Sequence, residues 1–371
     1  MTVCHIAGLT VRRHHPGGRP RLLYLPGIHG DWTLVTSFRH AVAPPAEFVE
    51  LAYPDATEWK LPEYAAAVRH AVESLGLTRC WLLAESFGSL VAWALLDAWS
   101  RDAGLDRIVA LEHAPVEGVI LAGGFVRHPW PRRARFLAGA LRRMPRWLHR
   151  SLLGLYLAYA AWRHRHAPET RATVHEFVER RTPQNRRAIQ ARLLLVAEAD
   201  YRPVARRTHL PLFLLAGGMD PVVPWWRVRP WLRRHCPGFR AARIFPWADH
   251  NVLGTAPRPA AAQILAWITA AAPARNLLLS LGSDRPQMRF RSSPNRTRAA
   301  MASQTSAETR LHGTSLPRSR YHPRVATQAS TSGRASSGRG LYRQDSPHRP
   351  CNSAWVARNP PQPGHCQPVS S

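Results

Sequence analysis

A serine, an aspartate and a histidine, each just past an apolar run, carry the chemistry this sequence could perform. Ser86 sits in Leu82-Leu83-Ala84-Glu85-Ser86-Phe87-Gly88-Ser89, between an apolar run and a helical pattern. A serine hydroxyl is a weak nucleophile until a base takes its proton, and an imidazole oriented by a carboxylate is a common way to supply that base. Asp220 follows Leu214-Leu215-Ala216-Gly217-Gly218-Met219, and His250 closes Phe245-Pro246-Trp247-Ala248-Asp249. Position selects this histidine from the 19 in the chain. Small residues flank the serine two places before and after, Ala84 and Gly88. A sharp strand-to-helix turn would bring these two positions together and hold the serine in a strained backbone conformation. Serine at a helix start also favours negative charge developing nearby.

The order Ser, Asp, His, with strand, turn and helix around the serine, resembles the α/β-hydrolase family and its G-x-S-x-G nucleophile elbow, with Ala84 replacing the first glycine. The resemblance covers residues 1–275. It implies Ser86 as nucleophile, His250 as general base and Asp220 as orienting acid. It also matches Leu25-Pro26-Gly27-Ile28-His29-Gly30 to the family's H-G-x loop, with Pro26 in place of His. The backbone N–H groups of Ile28 and Phe87 would then form the oxyanion hole. Asp249 competes with Asp220 for the acid role, but adjacent loop residues usually diverge, which ranks Asp220 first. His29, beside the oxyanion loop, reads equally as a pocket-lining residue or a plain loop residue. Gly123-Gly124 offers close backbone approach and lacks the G-x-G-x-x-G context of a dinucleotide site.

The elements that must position these residues read as alternating strands and helices. Apolar runs at 22–25, 48–53, 80–84, 119–122, 212–216 and 241–245 predict strands. Patterns at 61–75, 90–99, 225–235 (interrupted or bent at Pro230) and 260–272 predict helices. Continuous apolar strands alternating with helices imply an α/β fold, a mainly parallel sheet flanked by helices. Residues 3–12 predict an antiparallel edge hairpin. A helical insertion of about 127–205 interrupts the rhythm, with helices at 133–141, 148–162, 170–181 and 185–198, and reads as a lid. Residues 276–371, rich in Ser, Arg, Pro and Gly, cannot bury enough apolar surface to order themselves. They read as a disordered tail or an overextended reading frame.

The net charge of +28 would ordinarily suggest nucleic acid. Of 51 basic residues only Lys60 is lysine, and the excess concentrates in residues 127–205 (net +12) and 276–371 (net +11). Because it lies outside the part that resembles a catalytic core, no specific nucleic-acid partner is assigned. The five cysteines form no C-x-x-C pair, so no metal or redox motif is indicated, and no signal peptide is seen. The most apolar run, 151–162, is too short to span a bilayer. The expected location is cytoplasmic.

The resemblance implies hydrolysis of a small carboxylic ester or thioester through an acyl-enzyme, with no cofactor and no metal. An apolar acyl part suits the Trp- and Leu-rich insertion. The alternatives are an acyltransferase on the same residues and a non-catalytic binding protein of the same fold. The insertion's leucines are expected to be its own core and its arginines a solvated face, and peripheral membrane contact is not favoured. The oligomeric state is left open.

Overall fold

The computed structural model describes residues 2–42, 44, 46–108, 115–283 and 367–368. Strands β1 (Thr2–Ile6) and β2 (Leu9–His14) form the expected antiparallel hairpin. Five further runs form β3 (Arg21–Leu25), β4 (Glu47–Ala52), β5 (Cys80–Glu85), β6 (Val116–Ala122) and β7 (Leu212–Gly217). The last long strand is β8 (Phe239–Phe245). The sheet order is β8-β7-β6-β5-β3-β4-β2-β1, parallel from β8 to β4, with β2 antiparallel to β4. A two-residue strand, β9 (Gln367–Pro368), pairs antiparallel with β1.

The apolar runs are continuous because each sheet face has its own core. Leu23, Leu25, Leu82 and Ala84 pack on one face with α2 (Leu61–Ser74) and α3 (Gly88–Asp102). Their neighbours Leu22, Tyr24, Trp81 and Leu83 pack on the other with α1 (Thr36–Val42), α11 (Val252–Thr255) and α12 (Pro257–Ser283). The period of two thus alternates between two buried layers rather than between core and water. Two buried carboxylates on β4 fix the hairpin to this core. Glu47 accepts from Arg13, Arg21 and the Gly17 N–H, and Glu50 from His14 and Arg39.

The insertion comprises α4 (Pro131–Arg143), α5 (Arg146–Arg163), α6 (Pro168–Ala172), α7 (Val174–Glu179), α8 (Pro183–Glu198) and α9 (Arg202–Arg207). The single helix expected over 170–181 is broken at Thr173, whose hydroxyl donates to the Thr33 carbonyl at 2.6 Å. That bond attaches the insertion to the segment following β3, a contact no local pattern reveals. Helix α10 (Trp225–His235) runs without interruption through Pro230. The closing helix extends to Ser283, past the expected boundary at 275. The remainder of the expected tail, apart from Gln367 and Pro368, lies outside the described residues.

Candidate active site

Strand β5 delivers Ser86 at its carboxyl end, where the chain turns directly into α3. Ser86 has φ +48°, in the left-handed region that non-glycine residues rarely occupy. Its N–H donates to the Ala122 carbonyl at the end of β6, and Ser89 Oγ donates to the Ser86 carbonyl at 2.6 Å. Ser89 Oγ also accepts from the Phe125 N–H at 3.0 Å, which fastens the turn to the loop after β6. Gly88 has no room for a side chain. A Cβ there would stand 2.2 Å from the Leu25 carbonyl oxygen and 2.9 Å from that of Pro26. The glycine therefore makes room for the end of the neighbouring strand.

The loop after β7 carries Asp220, which is buried. Its Oδ1 accepts from the N–H groups of Val222 (2.8 Å) and Val223 (2.9 Å), so its carboxylate turns the loop. The residue before α10 is Pro224, so Asp220 does not cap that helix. Its Oδ2 faces His250 Nδ1 at 2.8 Å, and a carboxylate oxygen can only accept, so Nδ1 carries the proton. His250 Nε2, left as an acceptor, lies 2.9 Å from Ser86 Oγ. The β7 and β8 loops are packed backbone to backbone: a Cβ on Gly217 would stand 2.1 Å from the Asp249 carbonyl oxygen. This places Asp220 and His250 within reach although they are 30 residues apart.

Burial by itself lowers the affinity of His250 for a proton. The hydrogen bond to Asp220, that residue's charge, and the charges of Glu85 and Asp249 outweigh it, and the imidazole titrates above its ordinary value. Asp249 is directed elsewhere: its Oδ2 accepts from Arg163 Nε at 3.0 Å and its Oδ1 from the Asn251 N–H at 3.0 Å. The structure thus brings Ser86, His250 and Asp220 into one hydrogen-bonded chain and ties Asp249 to helix α5.

The Pro26–Gly30 loop lies against the serine, with a Cβ on Gly27 falling 3.6 Å from Ser86 Cβ. Neither the Ile28 N–H nor the Phe87 N–H has an acceptor among the described residues. Their freedom is what a hole for a developing oxyanion needs. His29 packs edge-on against Phe177, with ring centroids 4.9 Å apart. Burial, reinforced by the charge of Arg181, pushes its imidazole down to about 3, so it stays neutral.

Three supporting groups carry no signal in the local sequence. Arg192, fully buried on α8, donates to the carbonyls of Ile28 (3.0 Å) and Pro54 (2.7 Å) and to Tyr64 Oη (3.1 Å). Arg181, at the end of the α7 turn, pairs with Asp31, one residue after the Pro26–Gly30 loop. Burial would raise Asp31, but Arg181 and two hydrogen bonds from Thr33 hold it below the usual carboxylate range. Glu85, beside the serine, accepts from Tyr24 Oη, and burial pushes its carboxyl up. Among the described residues no cluster of His, Cys, Asp or Glu is arranged to hold a metal ion.

No family model matches the chain, and neither does any curated protein sequence. Solved structures do. An esterase from Thermogutta terrifontis is 16% identical with a TM-score of 0.55, over 73% of this chain and 99% of that one. A bromoperoxidase from Bacillus anthracis is 9% identical with a TM-score of 0.57, over 72% of this chain and 100% of that one. An enol-lactonase from Burkholderia xenovorans is 15% identical with a TM-score of 0.55, over 72% of this chain and 99% of that one. At these identities the likeness concerns the fold.

Proposed function

On the premise that this chain has the α/β-hydrolase fold, we propose that it is a serine hydrolase of carboxylic esters or thioesters. The observation that carries the reading is the chain from Asp220 Oδ2 through His250 to Ser86 Oγ, with links of 2.8 and 2.9 Å. The naming of some structural neighbours as esterases and a lactonase supports it.

In this reading His250 Nε2 takes the Ser86 proton as Oγ attacks the carbonyl carbon. The tetrahedral oxyanion is held by the N–H groups of Ile28 and Phe87. The imidazolium, stabilised by Asp220, gives its proton to the leaving oxygen or sulfur as that bond breaks, leaving an acyl-Ser86. Water then repeats the steps: His250 takes its proton, hydroxide adds to the acyl carbon, and Ser86 leaves protonated by His250. The substrate is a small ester or thioester, and the Trp- and Leu-rich insertion is what favours an apolar acyl part. Among the described residues no helix is long and apolar enough to cross a membrane. We keep the cytoplasm as the expected site of action, on the five scattered cysteines that form no C-x-x-C pair.

A general base must be neutral to work. Because His250 is held above the ordinary imidazole value of about 6.5, the acid limb of the reaction should lie above that value. Measured as kcat/KM on a soluble p-nitrophenyl ester, activity should fall as pH drops through the raised value, and the limb should move down in Asp220→Asn. A wild-type limb well below 6.5, as expected for an unpaired buried imidazole, contradicts the assignment. The stability sign runs the other way. The fold binds the His250 proton more tightly than the unfolded chain, so this contribution is full below about 6.5 and is lost as pH rises through the folded value.

A further inference from the structure

Three helices of the insertion turn arginines into one cleft. Its walls are the end of α4, the start of α5 and the start of α8, and its volume is about 590 Å³. Helix α5 contributes Arg146, His149, Arg150 and Leu153, and α8 contributes Pro183, Arg186, Arg187 and Gln190. Both sets have the i, i+3, i+4, i+7 spacing of a single helical face. Six arginines line the cleft, the other two being Arg142 and Arg181, and no acidic residue does. Its volume falls in the ordinary range of about 300–1,000 Å³ for small-molecule sites. None of Ser86, Asp220 and His250 lines it, so it is separate from the candidate active site.

The fold's own carboxylates do not answer these charges. Among the described residues Arg142, Arg146 and Arg150 have neither an ion pair nor a hydrogen bond. From Gly118 to Pro168 the sequence contains no acidic residue, and the one acid on α8 is Glu198, at its far end. Arg186, half-buried, is fixed by donating to the Leu141 and Met144 carbonyls, and Arg187 donates to Gln184 Oε1. Only Arg181 has a carboxylate partner, Asp31, and it joins the wall of the cleft to the Pro26–Gly30 loop. The field is felt inside: burial, and then the charge of Arg186, hold the His149 imidazole below its ordinary value. Arginines that need only water can swing apart, whereas these converge on one concavity, which concentrates their potential. A guanidinium fork meets two phosphate oxygens at once, and linked phosphates satisfy several forks together. Convergence on a cleft, rather than a row along a groove, suits a compact anion better than a nucleic-acid strand.

We propose that the cleft between α4, α5 and α8 binds a small soluble ligand carrying two or more linked phosphate groups. This site goes beyond the hydrolytic reading and does not depend on it. The test is calorimetric titration of the full chain, at about 0.15 M salt, with inorganic tripolyphosphate and with orthophosphate. The wild-type chain takes up one equivalent of tripolyphosphate, at least about tenfold more tightly than orthophosphate. Arg146→Gln combined with Arg150→Gln weakens tripolyphosphate at least about tenfold. Both side chains are exposed and unpaired, so the melting temperature of this variant without probe is no lower than that of wild type. Arg229→Gln combined with Arg233→Gln removes the same charge from α10 and leaves the affinity within about twofold. Ser86→Ala binds tripolyphosphate like wild type, so a failed site and failed chemistry read out separately. No saturable binding by wild type overturns the proposal. So does equal weakening by the two double variants, which would leave net charge alone as the cause, or equal affinity for orthophosphate. Single-stranded RNA, or vesicles carrying phosphatidylinositol bisphosphate, held through Arg146 and Arg150 when tripolyphosphate is not, would assign the cleft to a macromolecular phosphate and overturn the soluble ligand.

Discussion

Asp220→Asn is expected to lower kcat on a soluble ester by about 10⁴-fold with little change in thermal stability. The carboxamide keeps an oxygen for the Val222 and Val223 N–H groups, so the loop retains its turn. What changes is the proton on His250. An amide N–H facing Nδ1 forces that nitrogen to accept, which moves the imidazole proton to Nε2, opposite Ser86 Oγ. The base then presents a proton to the hydroxyl it should deprotonate. Asp249→Asn, in contrast, loosens the tie to Arg163 and should cost no more than about tenfold, within the range of a displaced loop rather than a lost base. Steady-state kcat and KM for both variants decide the matter. Equal losses, or a fully active Asp220→Asn, would return the acid role to Asp249.

Arg192→Leu should lower both stability and turnover. The guanidinium is buried without a carboxylate and is held by two carbonyls and a phenol, with the rings of Tyr53 and Tyr64 at 5.7 and 5.9 Å. Replacing it leaves the Ile28 and Pro54 carbonyls dry and unpaired, at about 1–3 kcal/mol each. With a loss of about 3 kcal/mol, a domain of this size should melt roughly 6–12 °C lower. Because the Ile28 carbonyl belongs to the loop expected to hold the oxyanion, kcat should fall about tenfold or more with KM less affected. Arg192→Lys should recover part of each effect, since an ammonium supplies charge but not the planar fork. A Leu variant that melts and turns over like wild type would remove Arg192 from the account.

The parts of this molecule legible in its sequence are those whose cause is local. Leu82 to Gly88 reads as strand, turn and helix because each step is set by its neighbours. Asp220 and His250 were accessible because each follows an apolar strand closely. Arg192 was not, since its contact with Ile28 spans 164 residues and nothing near it distinguishes a buried arginine from the many solvated ones. The break at Thr173 and the pairing of Arg181 with Asp31 escaped for the same reason. On helix α5, Leu155 and Trp162 are 69% and 59% exposed, contrary to the expectation of an internal core, because apolar spacing reports that a face needs cover without saying what covers it. The short helices α1, α9 and α11 fell below the length at which a period can be recognised.

The central claim is that Ser86 is an activated nucleophile, and labelling of the purified full-length chain by a fluorophosphonate probe tests it most directly. Wild-type protein should be labelled with one equivalent at Ser86, more slowly in His250→Ala and not at all in Ser86→Ala. Folded wild-type protein that stays unlabelled, or label that persists in Ser86→Ala, would contradict it.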